Sequence, residues 1–112
     1  MAQRDEVIRI ADEVRRDLPY ENHVLTQAND HVCRVATMTE PYVWHHHPGS
    51  DETFLVVEGE LAIDFEDRTV ALRPGEMLTV RAGVRHRTRP LTERTVNLTF
   101  EKADAQTVLE QG

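Results

Sequence analysis

Turn-forming residues interrupt the second half of this chain so often that few helices of ordinary length fit between them. Pro41, Pro48-Gly49, Gly59, Pro74-Gly75, Gly83 and Pro90 recur about every ten residues, the rhythm of an all-β domain. Between them lie short runs rich in β-branched and aromatic residues. His31 to Met38 sets Val32, Arg34, Ala36 and Met38 on one face and Cys33, Val35 and Thr37 on the other. Tyr42 to His47, Thr53 to Val57, Thr69 to Leu72, Met77 to Val80 and Val84 to Thr88 are further candidate strands. Leu61, Ile63 and Phe65 alternate with Ala62, Asp64 and Glu66, ahead of a hairpin tip at Glu66-Asp67-Arg68. Val96, Leu98 and Phe100 share one face of Thr95 to Glu101. Without the long crossovers that parallel strands need, this predicts an antiparallel β-sandwich or small barrel.

Both ends are less legible. Val7, Ile8, Ala11, Val14 and Leu18 are spaced for a helix over residues 5 to 18, capped by Asp5 and stopped by Pro19. A short strand at Val7 to Ile10 followed by a helical turn fits as well. The tail from Lys102 to Gly112 is polar and reads as peripheral. No repeat or linker divides the chain, so residues 1–112 are expected to form one domain with its barrel core at about 29–101. The composition, 39% hydrophobic with 5% aromatic residues, is that of an ordinary soluble protein. No apolar run approaches the ~18 residues of a membrane span, and no secretory signal opens the chain. A membrane partner is not expected, and a cytoplasmic location is. Cys33, the single cysteine, reads as a small buried hydrophobe and suits a reducing compartment.

A net charge of −7 argues against nucleic acid as the main partner. One segment runs the other way, with Arg81, Arg85, Arg87 and Arg89 around His86. It reads as an anion-attracting rim or, more simply, as the solvated face of an edge strand.

The chemistry is concentrated in Trp44-His45-His46-His47-Pro48-Gly49-Ser50-Asp51-Glu52. On a helix, His45 and His47 would point to nearly opposite sides. On a strand they share a face, roughly 6 to 7 Å apart, and two imidazoles so placed can converge on a metal at about 2.0 to 2.2 Å. Pro48-Gly49 turns the chain and lets Glu52 swing back as an oxygen ligand. His46 and Trp44 then face away, whereas His23 and His31 lack partners at ligand spacing. His86, from a strand farther on, completes a set of His45, His47, Glu52 and His86. Four such ligands suit a first-row divalent ion and leave an octahedral ion open to substrate.

These residues resemble the two motifs of the cupin superfamily. The first runs G-x5-H-x-H-x3,4-E-x6-G, and His45, His47, Glu52 and Gly59 fit it, with Thr39 at the opening glycine. The second runs G-x5-P-x-G-x2-H-x3-N. Gly75, Gly83 and His86 fit, while Arg81 replaces the proline and Pro90 the asparagine. Between the motifs lie Glu60 to Pro74, a spacing similar to that of compact bacterial members loosely described as mannose-6-phosphate-isomerase-like. The resemblance implies a double-stranded β-helix (jelly roll, cupin barrel) with manganese, iron, nickel, cobalt or zinc inside. It also implies a metal-dependent isomerase, epimerase or dioxygenase acting on a small carbohydrate- or carboxylate-like molecule, or else a non-catalytic ligand-binding or sensing module.

Within that frame Glu52 is a candidate acid/base. Arg34, a charge in the middle of a strand, either faces the barrel as an anion anchor or lies outward with its stem packed. Phe54 and Val56 share parity with Glu52 and line the barrel as pocket wall or plain core. Exposed sheet edges predict a homodimer, with exchange of the N-terminal strand as one route.

Overall fold

The computed structural model describes residues 5–14 and 18–110. After a 3-10 turn at Ile10–Glu13 come the strands β1 (Tyr20–Ala28), β2 (His31–Met38), β3 (His45–His46), β4 (Glu52–Glu58) and β5 (Leu61–Asp64). They are followed by β6 (Thr69–Leu72), β7 (Met77–Val80), β8 (Arg87–Pro90), β9 (Thr95–Lys102) and β10 (Val108–Leu109). Every pairing is antiparallel. One sheet has the order β1-β2-β9-β4-β7, and the other begins β6-β5-β8. His45 and His86 extend the second sheet by exchanging two backbone hydrogen bonds of 2.9 Å each. This bridge carries the layer from β8 to β3 and on to β10. Two facing antiparallel layers of this kind make a double-stranded β-helix.

Apolar residues from both layers fill one part of the interior. Met38, Phe54, Val56 and Val80 meet Leu61, Ile63 and Leu72, with Leu61 and Ile63 fully buried. Complete burial of such a side chain stabilises by about 1.5–3 kcal/mol. The alternation read at Val96, Leu98 and Phe100 holds, but that face turns outward. Together with Leu25 and Val35 these residues pack under Ile8, Ile10 and Val14. The opposite face of β9, with Thr95, Asn97, Thr99 and Glu101, is polar yet buried.

The N-terminal expectation needs correcting. No α-helix forms here: residues 5–9 have no regular structure and Ile10–Glu13 make a 3-10 turn, so the helical turn of the second reading is present without its strand; residues 15–17 of the expected helix lie outside the described residues. Ile8, Ile10 and Val14 cover the outer sheet face, which requires no regular helix. The arginine segment departs from both sequence readings. β8 is not an edge, because β5 pairs with it on one side and the His45–His86 bridge adjoins it on the other. Arg87 and Arg89 converge on Asp64, Arg81 pairs with Asp51, and Arg85 pairs with Glu110 while stacking over Trp44.

Asp64 makes this network sensitive to acid. Its carboxylate accepts from Arg89 Nε and Arg87 Nε at 2.8 Å each and from Thr69 Oγ1 at 2.6 Å. The Arg89 hydrogen bond is the main cause that holds its pKa well below the usual carboxylate range, outweighing burial, with Thr69 and Arg87 assisting. A depressed folded pKa contributes stability that is present above the unfolded value of about 3.9 and fades as pH falls. Asp64→Asn is therefore expected to cost about 1–2 kcal/mol at pH 7, because the arginine heads are still about one-third exposed. The deficit should shrink below about pH 4. Urea unfolding at pH 7 and pH 3 checks it, and an equal deficit at both would contradict this origin.

Candidate metal centre

Four side chains from separate parts of the fold converge inside the barrel. His45 comes from β3, His47 follows it, Glu52 opens β4, and His86 immediately precedes β8. All four are buried, and one possible ligand atom from each lies within 4.8 Å of the others. Extended backbone through His45-His46-His47 turns the outer two inward. His46 turns outward, where its Nδ1 sits 2.7 Å from Glu110. The His45–His86 backbone bridge brings the distant histidine alongside, and the Gly83 N–H donates to the His47 carbonyl at 2.8 Å.

Each imidazole is held the same way round. Nδ1 of His45 donates to the Val43 carbonyl at 2.7 Å, that of His86 to Val84 at 2.9 Å, and that of His47 to Gln106 at 3.0 Å. A carbonyl only accepts, so each Nδ1 carries the proton and each Nε2 offers a lone pair. Nε2 of His47 and of His86 lie 3.1 and 3.6 Å from Glu52 Oε1. Neither approach has hydrogen-bond alignment, and all three atoms are buried without a partner.

Protonation follows from the surroundings. Burial pulls the His45 imidazole down to about 4, leaving it neutral near pH 7. Glu52 pushes His47 up. Burial alone would raise Glu52, but His47 and His86 outweigh it and hold the carboxyl well below its ordinary range. Burial first, then the adjacent Glu52, raises Glu101 to about 7. Three fixed lone pairs and an ionised carboxylate around one buried point fit a first-row divalent ion.

Beside this group opens a cavity of about 260 Å³. Arg34 faces into it, which decides between its two orientations, and Phe54 forms part of its wall. Val56 is plain core. Sequence reasoning did not find Tyr20, Asn22, Tyr42, Asn97, Thr99 and Glu101, which also line the cavity. The tail is not peripheral either. β10 pairs with β3, Ala105 and Thr107 line the cavity, and Gln106 orients His47. His23 pairs with Glu21 and Glu13, and His31 with Asp30, away from the site.

Fold and site together define a double-stranded β-helix whose interior carries a buried His-His-Glu-His group able to bind a metal. A family described as "Cupin domain" matches residues 32–100. The chain belongs to the cupin family. It is 44% identical over 110 residues to "Uncharacterized protein YdbB" of Bacillus subtilis (strain 168), covering 97% of this chain and 95% of that protein. A cupin-2 domain containing protein from Shewanella frigidimarina shares 29% identity at a TM-score of 0.77, covering 86% and 94% of the two chains. An uncharacterized conserved protein with a double-stranded β-helix domain from Klebsiella pneumoniae reaches a TM-score of 0.83 at 18% identity, over 97% and 100%. That last likeness is one of fold. No helix among the described residues is long and apolar enough to cross a membrane.

Proposed function

We propose that this cupin binds one divalent transition metal (manganese, iron, nickel, cobalt or zinc) and uses it to bind or transform a small polar molecule. His45, His47 and His86 would hold the ion through Nε2, and Glu52 through its carboxylate. The observation that carries this reading is the shared tautomer, with three Nδ1–H groups tied to backbone carbonyls and the lone pairs facing one buried carboxylate. When bound, such an ion supplies Lewis acidity towards a substrate oxygen. The chain's own residues exclude bulk water, orient the ligand and keep His45 neutral for binding. Glu52, offered by the sequence as an acid/base, is held ionised, which suits a ligand better than a proton donor. The cavity, near the lower end of the ~300–1,000 Å³ usual for ligand sites, favours a small substrate for Arg34 and Phe54 to contact.

The same reading includes a cytoplasmic location, supported by the lone cysteine, and a homodimer, supported by the outer edge of β7, which pairs with no other described strand. Metal-free protein titrated with each of the five ions tests the centre. Uptake of one ion per chain with a rise in Tm, both reversed by chelator, is expected. Failure to take up any of them would refute the metal assignment. Oxygen consumption and carbonyl isomerisation by the loaded protein separate an enzyme from a binding module.

A further inference from the structure

Arg34 differs from nearly every other described arginine in having no carboxylate within ion-pair distance among the described residues. Each arginine from Arg68 to Arg94 lies 2.7 to 3.5 Å from a carboxylate oxygen. Arg9 is exposed to solvent. Arg34 is half-buried and faces the cavity, and among the described residues its only polar contact is a 3.2 Å hydrogen bond to the neutral Asn22 side chain. A guanidinium carries five N–H donors, so most of its capacity has no partner among the described residues.

The neighbouring wall is unsatisfied as well. Arg34 pairs across the sheet with Thr99, which pairs in turn with Phe54; in the next row Ala36 and Val56 flank Asn97. Asn97 is 1% and Thr99 2% exposed, yet Asn97 Nδ2 and Thr99 Oγ1 have no hydrogen-bond partner. Buried donors without partners cost about 1–3 kcal/mol each, and here both line the cavity beside a small residue, Ala36, that leaves it room.

We propose that the cavity binds a small monocarboxylate bearing a second oxygen. Its carboxylate sits on Arg34 with Asn97 and Thr99, and its second oxygen points to the His45/His47/Glu52/His86 group. A single guanidinium beside two carboxylates, Glu52 and Glu101, matches one negative charge better than the two of a phosphate. This rests on the metal reading above for the second oxygen, but not for the carboxylate.

Calorimetric titration with glycolate, its neutral amide glycolamide and inorganic phosphate tests it, on metal-loaded and on chelator-treated protein. Wild type should bind glycolate about 10- to 100-fold more tightly than glycolamide. Arg34→Gln should abolish that preference while keeping metal content and glycolamide affinity, and Arg34→Lys should restore part of it. A preference that survives Arg34→Gln means that the metal alone selects the carboxylate, and overturns the proposal. So does equal binding of the two probes, or tighter binding of phosphate. If wild type takes up no metal, the metal reading fails by itself. An Arg34-dependent preference in the chelator-treated protein would then still support the carboxylate site, and its absence there would overturn that too.

Discussion

His47→Ala is expected to weaken binding of a divalent ion by about 100-fold or more, whereas His46→Ala, one residue away, leaves it unchanged. Altering a residue that merely orients a ligand costs about 10–100-fold, and removing a ligand itself belongs at or beyond the top of that range. The two positions share a strand and a residue type, so composition and local charge are nearly matched. They differ in direction. His47 presents an unpartnered Nε2 to the buried group, while His46 faces out to Glu110. His47 lines the cavity rather than the apolar core, so its loss should leave the fold intact. Circular dichroism verifies that. Competition against a chromogenic chelator gives the two affinities, and equal losses would sink the assignment of inward and outward histidines.

That contrast was legible from the chain because a strand imposes a period of two, and the period fixes which of three successive histidines can share a ligand. The same rule gave β2, β6 and β7 their observed limits and placed Phe54 and Val56 on the inner face, whereas for Arg34 it left two orientations open and the structure turns it inward. It failed where polarity and burial part company. Tyr20 to Ala28 has no alternation of apolar and polar residues, since its inward side chains Tyr20 and Asn22 line a polar cavity. A register shift between Val24 and Thr26 then breaks the parity, leaving Leu25 under the N-terminal segment. On β9 the alternation was visible, but hydrophobicity marked the outer face. The partnerless Asn97 and Thr99 inside were hidden by the assumption that the interior is apolar.

Other misses came from contacts with no local signature. The two-residue β10 is shorter than any pattern a sequence can carry. Its importance lies in tertiary contacts, in the Gln106 carbonyl that orients His47 and the Glu110 carboxylate that meets His46 and Arg85. The arginines around His86 looked like a patch because their partners Asp64, Asp51 and Glu110 are far away in sequence. The motif departures at Thr39 and Arg81 are likewise accommodated: the Thr39 N–H donates to the Pro19 carbonyl at 2.9 Å, and Arg81 pairs with Asp51, whose carboxylate also receives the Ala82 N–H.

The largest effect on stability is expected from Gly59→Ala, at about 3 kcal/mol or more. Gly59 closes the first motif at a φ of +79°, where a side chain costs roughly 1–2 kcal/mol by itself. Space adds the rest, because a Cβ there would overlap the Arg94 carbonyl oxygen and come within 2.6 Å of Thr92 Oγ1. That hydroxyl accepts from the Glu60 N–H at 3.1 Å and donates to the Arg94 carbonyl at 2.9 Å. Relieving the overlap would therefore pull apart the turn that joins β4 to β5 and the loop that leads into β9. Gly75 is the control. Its φ is +87°, but nothing lies within 4 Å of an added Cβ, so Gly75→Ala should cost only the conformational share of about 1–2 kcal/mol. Urea midpoints for the two variants measure the difference, and equal losses would show that close backbone approach is not what the first motif's final glycine provides.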